Sequence, residues 1–172
     1  MNCLLILVVL SHSGLVAQGQ NGLGRLKNYV LASEQIHTCG AIKPADLQAI
    51  HKNGVKTVIS LNTESPSKVV LLKKQAEALG MNYVHIPVSW ERPTLQSLER
   101  FFEAMDQDKD AELLVHCRLN WRASAFVYLY RTLRLKEDKS SALESLHQVW
   151  KPERNKTWGQ FLQEAERYFQ TK

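Results

Sequence analysis

Short stretches that read as strands alternate in this chain with stretches of helical spacing. The strand candidates lie at 35–39, 55–61, 83–88 and 113–115. The last is continuously apolar, as a strand covered on both faces should be. Residues 44–50 open with Pro44 and point to a helix that stops at Gly54. Val69, Leu72, Ala76 and Leu79 form a second helical face, ended by Gly80. Leu95, Leu98, Phe101, Phe102 and Met105 form the inner side of a third helix, with Thr94 as its N-cap. Phe126, Leu129, Tyr130 and Leu133 carry the same spacing on to about residue 135. Amphipathic helices also fit 140–149 and 157–169, and residues 22–30 read as a polar lead-in. Strands alternating with helices predict one α/β domain, with a largely parallel sheet of about four strands and helices on both faces.

Parallel topology has a chemical consequence, because ligands gather at the carboxyl ends of parallel strands. Three loops then share one edge: 62–67, 89–93 and 117–122. Asp106, Asp108 and Asp110 follow a return helix and belong at the opposite edge, so they are excluded as partners of anything in 117–122.

The densest chemistry lies in the third loop. Leu113-Leu114-Val115-His116-Cys117-Arg118-Leu119-Asn120-Trp121-Arg122-Ala123-Ser124 reads as buried strand, tight loop and helix start. Four residues separate Cys117 from Arg122. Opening a helix, that loop is a cradle of N–H groups aimed at one anion, at the positive end of the helix dipole. The same field favours a thiolate at Cys117, and Arg122 can hold two oxygens in a fork. The plain alternative is a buried, inert core cysteine followed by a basic helix start.

Composition narrows the function classes. The chain has 172 residues, 44% hydrophobic and 23% charged, enough for one domain with a real core. Its net charge of +5 suits an anionic substrate, and no Lys/Arg-rich run marks a nucleic-acid partner. Residues 1–20 carry no charged side chain. Their apolar run at 3–10 is too short to span a bilayer, so stable membrane insertion is not expected. With Ala17-Gln18-Gly19 as a small-residue cleavage site, residues 1–19 read as a secretory signal and 20–172 as the domain, exported to the periplasm or secreted. Cys39 and Cys117 remain after cleavage; two cysteines make no disulfide framework, though in an oxidising compartment they can pair reversibly. No His/Cys/Asp cluster has metal-ligand spacing, and no metal or other cofactor is expected.

The His-Cys-x4-Arg loop at 116–122, the order of strands and helices, and residues 54–61 before a turn are similar to the cysteine-dependent protein tyrosine phosphatase superfamily. The likeness covers roughly residues 35–135 and is to its bacterial dual-specificity-like branch. The resemblance implies that Cys117 is the nucleophile and forms a phosphocysteine. It implies that Arg122 binds the phosphoryl oxygens and that His116 supports the loop from beneath and lowers the thiolate pKa. The backbone N–H groups of Arg118, Leu119, Asn120, Trp121 and Arg122 would line the cradle. The loop departs from the pattern in length, where five intervening residues are usual. Asn120 stands where glycine is usual, and asparagine tolerates the left-handed conformation needed there. Ala123 stands where Ser or Thr usually steadies the leaving thiolate; Ser124, one place later, is the substitute.

A general acid is also implied for the leaving alkoxide. Glu91 in Ser89-Trp90-Glu91-Arg92-Pro93 is the first candidate, though it could instead be a solvated loop charge or a salt-bridge partner for Arg92, and Glu64 is the reserve. Arg118 either helps to capture the anion or is a solvated arginine. Trp90 and Trp121 are aromatic walls for a phenyl phosphate or packing elements, and His85 is a satisfied core histidine. Three functions follow. The first is a phosphomonoester hydrolase, of phosphotyrosine or dual-specificity type, acting on a phosphorylated protein or small molecule. The second is a rhodanese-type sulfurtransferase, whose six-residue loop matches by count. The third is a catalytically inactive phosphate-binding module. Oligomeric state leaves no trace in the sequence.

Overall fold

The computed structural model describes residues 22–171. The predicted export signal at 1–19 and Lys172 lie outside the described residues. Strands β1 (Val30–Ser33), β2 (Ile36–Cys39), β3 (Thr57–Ser60), β4 (Asn82–His85) and β5 (Leu113–His116) form one five-stranded sheet in the order β1-β2-β5-β3-β4. Strands β2, β5, β3 and β4 run parallel, and β1 closes one edge antiparallel to β2.

The architecture is the α/β sheet the alternation predicts, with one strand more. Residue 30 closes the polar lead-in and 31–33 belong to no predicted element, yet together they form a strand that alternates inward and outward: Val30 and Ala32 are buried while Leu31 is 51% exposed. Four residues are too few for that period to stand out, and Glu34-Gln35 is only a two-residue turn before β2. The central strands β2, β3 and β5 are buried along their whole length, as a sheet covered on both sides requires.

Six α-helices cover the two faces: α1 (Leu47–Lys52), α2 (Pro66–Ala78), α3 (Leu95–Gln107), α4 (Trp121–Leu129), α5 (Lys139–His147) and α6 (Lys156–Gln170). α4 runs on through a π-helical segment, Tyr130–Arg134. Helices α3 to α6 pack a core of Phe101, Phe102, Phe126, Tyr130 and Trp158 against one face. α1, α2 and the leading turn at Gly22–Arg25 pack Leu23, Ile50, Leu72 and Ala76 against the other. The predicted helix stops Gly54 and Gly80 adopt φ of 86° and 75°, open to glycine at little cost. Thr94 caps α3, accepting from Ser97 N–H at 3.2 Å. Among the described residues no helix is long and apolar enough to cross a membrane.

The two ends of the sheet are chemically different. At the amino end Asp108 accepts hydrogen bonds from Thr57 and Asn82, at the starts of β3 and β4. At the carboxyl end the loops after β3, β4 and β5 meet.

Candidate active site

Cys117 follows the last residue of β5, and its backbone N–H donates to Cys39 O at 3.2 Å, extending the β2–β5 pairing by one step. The chain then turns back on itself. Gly40 forms an isolated bridge with Leu119, and Gly40 N–H donates to Lys27 O at 2.6 Å. A Cβ at Gly40 would stand 3.0 Å from that same carbonyl oxygen, so only glycine fits without displacement.

Asn120 is the hinge of the loop. Its φ of 68° lies in the left-handed region, as expected for the position where glycine is usual. Its side chain supplies what glycine lacks: Nδ2 donates to Asn28 O at 2.6 Å and to Thr38 Oγ1 at 3.0 Å. Asn28, itself at φ 49°, returns a hydrogen bond from Nδ2 to Leu119 O at 3.0 Å. Two asparagines in strained conformations therefore clasp each other across 92 positions.

The remaining carbonyls of the turn are held as well. Arg118 O accepts from Ala41 N–H at 3.2 Å and Trp121 O from Trp150 Nε1 at 2.9 Å. Ser124 N–H makes the first intrahelical bond of α4, to Asn120 O at 2.9 Å. The N–H groups of Trp121, Arg122 and Ala123 are thus the unsatisfied donors at the positive end of α4.

Arg122 is 8% exposed and staples the three loops together. Nη1 donates to Leu61 O at 3.1 Å and Val88 O at 2.7 Å, and Nη2 donates to Asn62 Oδ1 at 3.3 Å. These bonds occupy both Nη1 hydrogens and one on Nη2. Nε–H and the second Nη2–H, with no partner among the described residues, are the pair that can match two oxygens of one anion. Asn62 is oriented in turn by its Nδ2–Glu64 Oε1 bond at 3.1 Å and by His85 Nε2 on its carbonyl at 2.7 Å. His85 is thus the satisfied histidine expected of it.

A cavity of about 760 Å³ opens where the loops meet. Cys117, Arg118, Leu119, Trp121 and Arg122 line it from the cradle, with Glu91 from one flanking loop and Asn62 and Glu64 from the other. Glu91 is exposed, and its Oε2 accepts from Ser89 Oγ at 3.2 Å. Glu64 is committed to Lys68, whose Nζ stands 2.6 Å from its Oε1. Trp90 and Trp121 both line the cavity and pack together at 5.3 Å, so each serves as wall and as packing.

Three expected site residues stand behind the cavity. Asn120 is buried and faces the clasp. Ser124 donates its hydroxyl to Asn120 O at 2.7 Å and lies close to Trp121 O at 3.2 Å, a local i−4 bond that competes with any service to Cys117. His116 is fully buried, its two ring nitrogens have no hydrogen-bond partner among the described residues, and its ring packs against Tyr83 at 6.3 Å. Burial, then Lys68, His85 and Arg122, pushes its imidazole down to about 3. The folded protein therefore disfavours a positive charge on His116 at ordinary pH.

The family model described as PTP-NADK, "DSP-PTPase phosphatase fused to NAD+ Kinase", matches residues 30–164. The chain belongs to that family. Two crystal structures of a DUF442 protein from Shewanella putrefaciens CN-32, assigned as a phosphatase, superpose with TM-scores of 0.72 and 0.71. Their identities are 29% and 30%, over 86% of this chain and 97% and 94% of theirs. Pseudomonas aeruginosa TpbA, crystallised as a Cys-to-Ser variant with phosphotyrosine, shares the fold (TM-score 0.61, 15% identity, 78% of this chain and 82% of that one). So does the core catalytic domain of the Saccharomyces cerevisiae PP-IP phosphatase SIW14 (0.64, 14%, 80% and 85%). No curated protein matches the chain.

For a DSP-PTPase domain the chemistry is phosphoester hydrolysis, and this member's own devices can be tested. At Asn120, glycine accepts the backbone conformation but loses the clasp, while alanine loses both. Asn120→Ala is expected to cost about 2–3 kcal/mol in urea unfolding and Asn120→Gly about 1 kcal/mol less. At His116, the unfolded imidazole takes a proton near its ordinary pKa and the folded one refuses it. Its contribution is complete above about pH 6.5 and is lost as pH falls towards 3, by up to about 1.4 kcal/mol per pH unit. A His116→Gln variant should show a flatter fall in Tm between pH 6.5 and 4 than the parent chain.

Sequence reasoning missed Asn28, Thr38, Asn62, Trp150 and Trp158. Each acts through a partner distant in the chain, so no local pattern pointed to its role.

Proposed function

We propose that this domain hydrolyses phosphomonoesters through a phosphocysteine at Cys117. The observation that carries the reading is the convergence in one cavity of Cys117, the two unused donors of Arg122 and the carboxylate of Glu91. In the first step Sγ attacks phosphorus and the P–O bond to the leaving group breaks. Glu91 gives its proton to the departing oxygen. In the second, water attacks the phosphocysteine, Glu91 takes a proton from that water, and the P–S bond breaks to release phosphate and the thiolate. The N–H groups at the start of α4 and the Arg122 fork hold the equatorial oxygens throughout.

The cavity lining carries Lys27, Lys68, Arg118 and Arg122 against Glu64 and Glu91. That excess of positive charge suits a dianionic phosphomonoester. The rings of Trp90 and Trp121 beside it suit an aryl ester such as phosphotyrosine. The test is hydrolysis of p-nitrophenyl phosphate and phosphotyrosine peptides, run beside thiocyanate formation from thiosulfate and cyanide. Phosphate release without thiocyanate supports the reading. Thiocyanate formation alone would assign a sulfurtransferase, and phosphate binding without turnover between pH 5 and 8 would assign an inactive module.

A further inference from the structure

Nothing described so far explains what holds Glu91 in place. Among the described residues its carboxylate bonds only within its own loop, to Ser89 Oγ, which itself accepts from Arg92 N–H at 3.2 Å. The anchor is the residue before it. The ring of Trp90 packs against Trp121, Trp150 and Trp158, at centroid distances of 5.3, 5.4 and 5.2 Å. These are all four tryptophans of the chain. Trp90 O accepts a hydrogen bond from Trp158 Nε1 at 3.0 Å, across 68 positions. Trp158 is fully buried on α6, and its backbone N–H is fixed by the cap residue Asn155 at 3.1 Å.

The cradle is held in the same manner. Trp150 stacks on Trp121 at 5.5 Å with 17° between the ring planes, and its Nε1 donates to Trp121 O. One indole N–H from the C-terminal segment therefore fixes the peptide next to Glu91, and another fixes the peptide next to Arg122. A buried indole N–H without an acceptor is costly, so each bond ties its loop to one position. Loops that carry general acids often close only over substrate; this one is packed shut from behind.

We propose that Trp158 is a positioning residue for the general acid: it acts through the Trp90 carbonyl and ring to hold Glu91 against the leaving-group oxygen. The proposal rests on the phosphocysteine reading above. It makes α6, outside the likeness read from the sequence, part of the catalytic architecture.

The experiment compares two substrates with Trp158→Phe. p-Nitrophenolate leaves without a proton at neutral pH, whereas phenolate needs one, so only phenyl phosphate depends strongly on the acid. The variant should lose about tenfold or more in kcat/KM on phenyl phosphate and far less on p-nitrophenyl phosphate, because kcat/KM reports the phosphocysteine-forming step and not the water step that both substrates share. Adding Glu91→Gln should remove the difference, because the double variant then turns over phenyl phosphate no more slowly than Glu91→Gln alone. Benzothienylalanine at position 158 keeps the bicyclic shape without the N–H. It should reproduce the substrate-selective loss even if phenylalanine prevents folding. Equal losses on both substrates, or full retention on phenyl phosphate, would overturn the positioning role while leaving the phosphatase reading intact. A parent chain inactive on both substrates would overturn the phosphatase reading and this inference with it.

Discussion

Cys117→Ser is expected to end turnover of every phosphomonoester substrate, with kcat reduced on the order of 10⁴-fold or more. A serine hydroxyl is nearly the same size but keeps its proton at neutral pH and is a far weaker nucleophile than a thiolate. The cradle should survive the change. Its shape comes from the clasp between Asn28 and Asn120, the bond from Trp150 to Trp121 O and the bonds of Arg122, none of which involves the thiol. Cys117 is 1% exposed, so the smaller oxygen leaves packing almost unchanged. The variant should therefore still bind phosphotyrosine by calorimetry while releasing no phosphate. Retention of activity would remove Cys117 from the mechanism.

Arg122→Ala should damage activity and stability together. Loss of a preorganised donor pair costs about 10²–10³-fold in kcat. Loss of the guanidinium also strands the buried acceptor Val88 O and leaves Leu61 O only the Val88 N–H at 3.3 Å, at about 2 kcal/mol in urea unfolding. Arg122→Lys separates the two effects. A lysine can reach one carbonyl but cannot bond both loops and present a fork, so it should regain part of the stability and little of the activity. A variant that loses activity with unchanged stability would show that Arg122 does not staple the loops.

The sequence reading went furthest where local signals and topology agreed. The strand, turn and helix at 113–122 follow from a buried run, a turn and a helical face. Alternation alone placed the loops at 62–67, 89–93 and 117–122 at one sheet edge and Asp108 at the other, where it binds Thr57 and Asn82. Asn120 could be read as a left-handed residue because few other side chains tolerate that conformation. Its clasp with Asn28 could not, since nothing in a local pattern reports a contact 92 positions away. The same limit hid the bond from Trp158 to Trp90. At Ser124 the resemblance suggested a partner for the thiolate, while the local bond of its hydroxyl to Asn120 O carries no signal in the sequence. His116 was expected to support the loop from beneath; its complete burial, which pushes the imidazole pKa down, could not be read from the strand pattern alone.

The account turns on a covalent bond between Cys117 and phosphorus. The direct measurement is rapid acid quenching of the protein during turnover of p-nitrophenyl phosphate, followed by peptide mass spectrometry. A single phosphoryl group on the peptide carrying Cys117, absent from Cys117→Ser and accumulating more in Glu91→Gln on this substrate as the water step slows, is the predicted result. Steady turnover with no phosphoryl group on that peptide, or a phosphoryl group on another residue, would contradict the mechanism.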